Sequence, residues 1–402
     1  MDKKIKVLIN TSTFQENVDD KVTDVINNLV NSLKEVNEYL EFYILKPMGP
    51  SGNKTIEYEN YKIFTYRYAF PKNIQTFHER GIIPSIKENK LNIIKLIFLF
   101  ISQFISLLKL AYKVRPDYIY AHWVLPQALI SALVCKILKV KLLFTTHGAE
   151  VLLLNKIKIV NKILLNFITK NTYKFTSNSK LTMSQITDNT KNKFFINKNK
   201  IIPMGIRDEF FNLSSENKEY NKNKFLYIGR LVDYKGVEIL IESMKLLQYK
   251  KYNFNLDILG SGVDEDLLKE KVKNYGLSKK VVFQGFKNLS QKIEYYKDAD
   301  VTFIPSLISK DRLEGGPLTV IEAMSQKSIC IVSDSIGFIN YLNDKNCIIF
   351  KSGNIESLSE AINKYLEMSY DEKTLMSKEA YKTAMFFKFE NIAKIHNQFL
   401  FS

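Results

Sequence analysis

The chain has 402 residues, of which 46% are hydrophobic and 25% are charged. This balance excludes a disordered or fibrous chain, and the length suggests two globular domains of ordinary size. Lysine and arginine outnumber aspartate and glutamate by 58 to 42, which gives a formal net charge of +16. Such a charge favours nucleic acid, anionic lipid or phosphorylated substrates as partners, although lysines spread along the whole chain are equally explained as solvated surface.

Short apolar runs alternate with longer amphipathic stretches along the whole chain, a pattern that predicts βαβ units and parallel sheets. In the first half, strands are predicted at residues 6–10, 40–45, 61–66, 118–122, 141–145, 174–177 and 201–204, with helices at 22–33 and 125–138. In the second half, strands are predicted at 225–229, 256–259, 281–284, 301–304, 329–332 and 347–350, with helices at 237–247, 265–275, 318–325 and 355–366. We therefore predict an α/β protein with two Rossmann-like domains.

The polar stretch RDEFFNLSSENKEYNKN at residues 207–223 separates the two halves. We predict an N-terminal domain over residues 1–206 and a C-terminal domain over residues 207–385. A last helical segment at 386–402 is predicted to pack back on the N-terminal domain. In doubly wound sheets ligands bind outside the carboxyl ends of the strands, so chemistry is expected directly after the predicted strands.

The segment LNIIKLIFLFISQFISLLKL at residues 91–110 is apolar over most of its length. Lys95, Gln103 and Lys109 interrupt it, so its clean apolar stretch is shorter than the roughly 20 residues that span a bilayer. A helix packed between layers and an interfacial helix lying on a bilayer both stay open. The nearby lysines that would favour anionic lipid are Lys87, Lys90, Lys109 and Lys113.

The three cysteines, Cys135, Cys330 and Cys347, are far apart and form no C-x-x-C pair. This spacing argues against a disulfide framework or a zinc site and fits a reducing compartment. The N-terminal run MDKKIKVLIN is too short for a signal peptide and is predicted to be the first strand. We expect a cytoplasmic protein. If the apolar segment is an interfacial helix, the protein would also make a peripheral contact with the inner face of an anionic membrane.

The sequence GRLVDYKG at residues 229–236 directly follows a predicted strand and opens a predicted helix. Arg230 and Lys235 place two cations five residues apart between Gly229 and Gly236, which suits a diphosphate. Glycine lets the backbone approach closely, arginine can fork onto phosphate oxygens, and a helix N-terminus adds partial positive charge. The same residues are also compatible with a tight surface turn.

The sequence EGGPLTVIE at residues 314–322 follows the predicted strand 301–304 and enters a helix. Pro317 suits the first helical turn, and the pair Gly315-Gly316 would expose backbone N–H groups to an anion or a sugar hydroxyl. Glu314 and Glu322 are spaced so that both carboxylates could face one cleft and accept hydrogen bonds from sugar or ribose hydroxyls. Otherwise Glu314 is a helix-dipole charge and Glu322 a solvated helix residue.

Together these segments resemble glycosyltransferase family 4, the large retaining group with the GT-B fold. The resemblance is carried by FLYIGRLVDYKGVEILIESMKLL at 225–247 and by FIPSLISKDRLEGGPLTVIEAM at 303–324, which contains an E-x7-E pattern from Glu314 to Glu322. VVFQGF at 281–286, YYKDADVTFIPS at 295–306 and IPMGI at 202–206 are also similar to the family. The resemblance implies two Rossmann-like domains facing each other across a cleft.

The resemblance also implies roles for individual residues. Arg230 and Lys235 would bind the donor diphosphate, Glu322 would hold the ribose hydroxyls, and Glu314 would contact the donor sugar. The remaining implied donor-binding residues are Gly229, Gly285, Phe286, Gly315, Gly316, Pro317, Leu318 and Thr319. Gly285 and Phe286 would lie near the base, and no metal is implied.

In the first half, THGAE at residues 146–150 follows a predicted strand and resembles the family element whose histidine reaches the donor sugar. A structural role for this residue, His147, stays open. His122 and Trp123 also follow a predicted strand and resemble a segment that lines the acceptor side in some members, with a core role as the alternative. The first βα loop, TSTFQ at 11–15, lacks the glycine pair that the family often has.

The implied reaction moves a sugar from a nucleoside diphosphate sugar to an acceptor hydroxyl with retention of configuration, and catalysis would fall to His147, Glu314, Arg230 and Lys235. We favour UDP as the nucleotide and a saccharide or lipid-linked saccharide of surface polysaccharide or glycoconjugate synthesis as the acceptor, with no cofactor and no nucleic-acid partner. The D-x-D sequence from Asp298 is interpreted as a structural helix-to-strand join. The alternatives are a sugar-nucleotide epimerase and a non-enzymatic polyanion-binding protein.

Overall fold

The computed structural model describes residues 4–15, 25–48, 55–70, 77, 92–147, 158–190, 192, 198–212, 218–220, 223–249, 252–308 and 316–402. Two compact units result. The first combines Met1–Pro203 with Phe389–Ser402, and the second is Met204–Lys388.

The first unit contains a sheet of eight strands in its described part. They are β1 (Ile5–Asn10), β2 (Leu40–Pro47), β3 (Thr55–Glu57), β4 (Tyr61–Tyr66), β5 (Tyr118–His122), β6 (Lys141–Thr146), β7 (Thr172–Ser177) and β8 (Asn199–Ile201). The order across the sheet is β3-β4-β2-β1-β5-β6-β7-β8, and every pair is parallel except β3 with β4. All five residues of β5 are buried, as expected for a strand covered on both faces.

Helices of the first unit cover both faces of this sheet. They include α1 (Val25–Val36), α2 (Asn92–Val114), α3 (Leu129–Leu138), α4 (Lys158–Lys170) and α5 (Lys180–Thr187). Helices α2, α3 and α4 share one hydrophobic cluster with the sheet, and α1 belongs to the cluster on the opposite face.

Two predicted elements differ from the structure near prolines. The strand predicted at 201–204 lies earlier, at β8, because Pro203 has no N–H to continue the ladder. The helix predicted at 125–138 begins only at Leu129, since residues 124–128 around Pro126 form a separate turn in which Leu125 has extended backbone angles.

The second unit has a six-stranded sheet in its described part. The strands are β9 (Lys224–Ile228), β10 (Asn255–Leu259), β11 (Val281–Gly285), β12 (Val301–Ile304), β13 (Ile329–Ser333) and β14 (Ile348–Phe350). The order is β11-β10-β9-β12-β13-β14, and all pairs are parallel. Counted within the unit, this is the Rossmann order 3-2-1-4-5-6. Successive strands are therefore added on one side of β9 up to β11 and on its other side from β12 onward, so the switch point of the sheet lies between β9 and β12.

Helices of the second unit also divide between the two faces. They are α6 (Glu209–Asn212), α7 (Val237–Tyr249), α8 (Glu265–Asn274), α9 (Leu289–Asp298), α10 (Leu318–Ser325), α11 (Ile355–Glu367) and α12 (Tyr370–Phe386). Helices α7, α8 and α11 pack on one face, while α9, α10 and α12 pack on the other.

The chain ends in a helix that belongs to the first unit. This helix, α13 (Phe389–Leu400), packs against α1. Its Ile392 and Ala393 share a hydrophobic cluster with Val7 and Ile9 of β1. The Nδ2 atom of Asn37, just after α1, donates a hydrogen bond of 2.9 Å to Oδ1 of Asn397.

Candidate nucleotide-sugar site

The loop after β9, residues 229–236, runs across the switch point of the second sheet. The backbone N–H of Leu231 donates to the carbonyl of Ser261, after β10, at 3.0 Å. The N–H of Leu307, after β12, donates to the carbonyl of Tyr234 at 2.8 Å. The loop is thus hydrogen-bonded to the loops that follow the strands on both sides of β9. This is the edge of an open α/β sheet at which ligands bind.

The loop can run this close to its neighbour only because residue 236 is glycine. Gly236 has a φ of +69°, and a Cβ atom there would lie 1.9 Å from the carbonyl oxygen of Pro305. A side chain would therefore have to push the loops after β9 and β12 apart. Helix α7 begins at the next residue, Val237, so the contact also sets where this helix starts.

The two cations predicted from the sequence lie around one aromatic ring. The guanidinium carbon of Arg230 is 5.9 Å from the ring centroid of Tyr234, and Nζ of Lys235 is 5.8 Å from the same centroid. Nη2 of Arg230 also donates a hydrogen bond to the Tyr234 hydroxyl. Tyr234 is buried, Lys235 is half-buried and Arg230 is exposed. The ring therefore holds two positive charges together at the switch point, an arrangement suited to a diphosphate.

Glu322 is buried in helix α10 and is fixed by two residues of α9. Its Oε2 atom accepts a hydrogen bond of 2.9 Å from the Tyr296 hydroxyl and lies 2.9 Å from Nζ of Lys292. Burial, and then the negative charge of Glu322, raise the pKa of Tyr296 well above 10, so this phenol stays protonated and donates. Glu322 is therefore a carboxylate held in place within the fold rather than a solvated helix residue.

The start of α10 is closely packed. Pro317 is the residue before the first helical turn, which contains Leu318 and Thr319. A Cβ atom on Gly316 would lie 2.3 Å from the buried ring of Phe338, so only glycine fits there without displacing the ring. Glu314 and Gly315 lie outside the described residues, as do residues 148–150 of the predicted histidine element.

The predicted base-contacting pair lies at the end of β11. The carbonyl of Gly285 accepts a hydrogen bond of 2.9 Å from the N–H of Gly260, and Gly229 donates to the neighbouring Leu259 at 3.0 Å. Gly285 is therefore linked through the end of β10 to the start of the loop 229–236. The side chain of Phe286 is 83% exposed, so a flat ring is available to solvent directly after β11.

The D-x-D sequence lies at the opposite ends of the strands, where their amino ends are. Asp300 is buried directly before β12, and its Oδ2 accepts a hydrogen bond of 3.2 Å from the backbone N–H of Lys224 at the start of β9. Asp298 pairs with the side chain of the same lysine. Both carboxylates therefore join the amino ends of two strands, away from the loop 229–236.

The first unit places two of the predicted histidines in contact. Nδ1 of His122, at the end of β5, is 3.2 Å from Nε2 of His147, directly after β6. The ring of Trp123 lies 4.9 Å from that of His147. Part of His147 is solvent accessible, but desolvation of its ring lowers the pKa to about 4. His147 is therefore neutral at pH 7, able to donate one hydrogen bond and accept another.

A third histidine, His396 of α13, joins this group and was not predicted from the sequence. It is fully buried, and desolvation together with the charges of His147 and Lys200 lowers its pKa to about 3. The pKa of His122 is also lowered, by burial and by His147 and His396. Three of the four histidines of the chain thus interact electrostatically, and all three are neutral at pH 7.

Tyr234, Lys292 and Tyr296 were likewise missed by sequence reasoning. Tyr234 lies inside the motif GRLVDYKG and could have been noticed as the only aromatic residue between the two cations. Lys292 and Tyr296 are four residues apart and share one face of a helix. Nothing in the sequence connects that face to Glu322.

Comparison with known proteins gives an independent result. Residues 208–383 match the family "Glycosyl transferases group 1", and residues 71–179 match "Glycosyl transferase 4-like". The uncharacterized glycosyltransferase MJ1178 of Methanocaldococcus jannaschii is 24% identical over 365 residues, which cover 88% of this chain and 87% of MJ1178. The capsular polysaccharide biosynthesis glycosyltransferase CapM of Staphylococcus aureus is 28% identical over 170 residues, or 40% of this chain and 43% of CapM.

The fold is shared with proteins of known structure. Anabaena Alr3699/HepE, solved in complex with UDP, superposes with a TM-score of 0.71 over 98% of this chain and 99% of that chain, at 14% identity. The predicted α/β class with two Rossmann-like domains is confirmed. The chain belongs to the group 1 glycosyltransferases of family 4, and it is a nucleotide-sugar glycosyltransferase with the GT-B fold.

Proposed function

We propose that this chain is a retaining transferase that moves a sugar from a UDP-sugar to a hydroxyl of a saccharide or lipid-linked saccharide. The main support for a donor site is the pair of cations, Arg230 and Lys235, around the Tyr234 ring at the switch point of the second sheet. The leaving group of the reaction is a nucleoside diphosphate, and positive charge fixed in advance stabilises the charge that develops on it. Retention of configuration is proposed from the E-x7-E resemblance.

The other donor contacts follow from the same resemblance and from the way the fold holds each group. Glu322, held by Tyr296 and Lys292 through Oε2, is proposed to accept hydrogen bonds from the ribose hydroxyls. The backbone around Gly316 and Thr319 would lie against the phosphates and sugar, because a helix N-terminus favours anions. Neutral His147 would hydrogen-bond the donor sugar, and Glu314 is proposed to contact the same sugar.

UDP is the proposed nucleotide and surface polysaccharide or glycoconjugate synthesis the proposed context. HepE, a neighbour in fold, was solved with UDP, and CapM is described as a capsular polysaccharide enzyme. No cofactor is proposed. We propose a cytoplasmic location. Nucleotide sugars are available there, and the three buried cysteines are free thiols, as expected in a reducing compartment.

Calorimetric binding of UDP, GDP and ADP without added metal tests the donor site. We expect the wild type to bind UDP most tightly, and Arg230→Ala and Lys235→Ala each to weaken binding at least about tenfold, the value of a lost charge-assisted hydrogen bond. Lys245→Ala is the matched control, because Lys245 also lies over a tyrosine ring, 4.3 Å from the centroid of Tyr275, but on helix α7. Unchanged UDP affinity in both site variants would contradict the proposed site.

The reaction itself is tested by incubating the wild type with a panel of UDP-sugars and saccharide acceptors. UDP release that depends on acceptor, and a product whose anomeric configuration by NMR equals that of the donor, are expected. A product of inverted configuration would contradict the retaining mechanism while leaving the donor site intact.

A further inference from the structure

Helix α2 presents a row of large apolar side chains to solvent. The exposed fractions of these side chains lie between 44% and 58%, and the residues are Ile94, Ile97, Phe98, Ile101 and Ile105. Relative to Ile94 they stand at positions i+3, i+4, i+7 and i+11, which places all five on one stripe of the helix. The opposite stripe, with Leu99 and Leu107, packs in the core of the first unit. Helix α2 therefore has two apolar stripes, one packed in the core and one exposed to solvent.

The apolar surface continues onto the two neighbouring helices of the same layer. Helix α3 packs between α2 and α4. Leu133 and Ile137 of α3 are exposed, as are Val160 and Ile163 of α4. Single exposed apolar residues are ordinary on a protein surface, but nine of them on three neighbouring helices mark an interaction site. We call this surface, formed by the outward residues of α2, α3 and α4, the apolar layer.

The charges of the apolar layer are all of one sign. Helix α2 contains three lysines, α3 one and α4 three, and none of the three helices contains an aspartate or glutamate. Lys109, Tyr112 and Lys113 are exposed at the C-terminal end of α2, beyond the apolar stripe. Lysine and tyrosine can place an apolar body against hydrocarbon and a polar tip in the headgroup region.

We infer that the apolar layer docks on the surface of an anionic lipid bilayer. The isoleucine and phenylalanine side chains would enter the boundary between headgroups and acyl chains, while the lysines would contact lipid phosphates. This inference does not depend on the proposed donor or acceptor, because it rests on a surface of the first unit and the cation pair lies in the second.

A second copy of the chain fits this surface less well than lipid does. Most self-association is two-fold, and a two-fold contact brings the same patch of both copies together. Here that contact would place lysines opposite lysines with no acidic partner from any of the three helices, an arrangement that costs binding energy. An anionic bilayer supplies the missing negative charge.

Helix α2 would lie on the bilayer rather than cross it. By length and composition, residues 94–114 could span a membrane. However, Gln103 on the inner stripe is fully buried and its Nε2 donates a hydrogen bond of 2.7 Å to Oδ1 of Asn10 in β1. Crossing the membrane would require α2 to leave the sheet and break this contact.

Vesicle binding by the full-length protein tests the inference. The probes are two kinds of vesicle. One is pure phosphatidylcholine, and the other contains about 30% phosphatidylglycerol, whose anionic headgroups give the membrane a negative surface potential. We expect co-flotation with the anionic vesicles that falls as salt is raised. The double variant Ile97→Glu, Ile101→Glu should weaken partitioning at least about tenfold, because two apolar contacts are lost and two negative charges are added.

A double variant with the same chemistry elsewhere is the control. Leu267→Glu with Leu375→Glu changes two similarly exposed leucines, on α8 and α12 of the second unit, and should leave vesicle binding unchanged. Equal binding of wild type and of the Ile97/Ile101 variant, or no binding of the wild type to anionic vesicles, would overturn the inference. So would a dimer by light scattering that the Ile97/Ile101 variant converts to a monomer without vesicle binding by the wild type. Retained UDP affinity in the variant would separate a failure of this inference from a failure of the donor site.

Discussion

Replacement of the buried His396 by leucine should remove a defined part of the acid sensitivity of the first unit. In the unfolded chain this histidine titrates near pH 6.5, whereas in the fold its pKa is lowered to about 3. Between these values the unfolded state binds a proton that the folded state does not, so stability falls as pH falls. Well above pH 6.5 the histidine is neutral in both states and contributes no pH dependence.

The size of the effect follows from the width of that window. Each pH unit within it changes the free energy of unfolding by about 1.4 kcal/mol per histidine. Acidification from pH 7.5 to 4.5 should therefore cost about 3 kcal/mol through His396 alone, nearly all of it below pH 6.5. His122 and His147, whose pKa values are also lowered, add to the loss in the wild type.

Leucine suits the position because His396 lies four residues after Ile392 and four before Leu400, on the buried stripe of α13. Neither ring nitrogen of His396 has a hydrogen-bond partner within the described residues. Near pH 7.5 we therefore expect the free energy of unfolding of His396→Leu to equal that of the wild type or to exceed it by up to about 1 kcal/mol. On acidification to pH 4.5 the variant should lose about 3 kcal/mol less than the wild type.

Urea unfolding at several pH values, followed by tryptophan fluorescence, measures this difference. Trp123 is the only tryptophan of the chain and lies beside His147, so its emission reports on the first unit. Lys394→Ala, which removes an exposed ion pair with Glu390 on the same helix, is the control and should leave the acid loss unchanged. An equal acid loss in His396→Leu and wild type would refute the reasoning, since His396 would then be protonated in the fold.

Three further substitutions test the candidate site. Tyr296→Phe should lower the free energy of unfolding by about 1–3 kcal/mol, measured by denaturant titration, because it removes a buried hydrogen bond to the Glu322 carboxylate; a change below about 0.5 kcal/mol would contradict that bond. Gly236→Ala should weaken UDP binding in calorimetry, since a Cβ atom 1.9 Å from the Pro305 carbonyl displaces the loop that carries the cations; unchanged affinity would count against the loop. His122→Phe should lower kcat more than it raises KM for a UDP-sugar, because His147 loses the ring that orients it; an effect on KM alone would assign His122 to substrate binding.

Much of the fold was predictable because its strands are continuous apolar runs between polar segments. The strands β4, β5 and β12 have the predicted bounds. The edge strand β3 was missed because three residues with exposed or half-exposed side chains give no periodic signal. Helix α12 was missed for a related reason, since its sequence YDEKTLMSKEAYKTAMF is mostly polar and its buried stripe consists mainly of small residues.

The candidate site was predictable only where its chemistry is local in sequence. Arg230 and Lys235 are five residues apart, and one turn brings them to the same ring. The support of Glu322 comes instead from Lys292 and Tyr296, about thirty residues earlier in the chain. Their contact exists only because α9 and α10 pack side by side on one face of the second sheet. Helical periodicity gives the faces of each helix but not which helices become neighbours.

The apolar segment at 91–110 shows the same limit on a single helix. Because it is apolar almost all round, its periodicity does not say which side faces the core. The polar residue Gln103 would ordinarily be assigned to the solvent side. In the structure it is buried, because Asn10 on β1 accepts its hydrogen bond, and the isoleucine stripe is therefore turned outward. The buried pair of Gln103 and Asn10 thus determines which face of α2 is exposed to solvent. The sequence could reveal this only with knowledge of which strand lies beneath the helix.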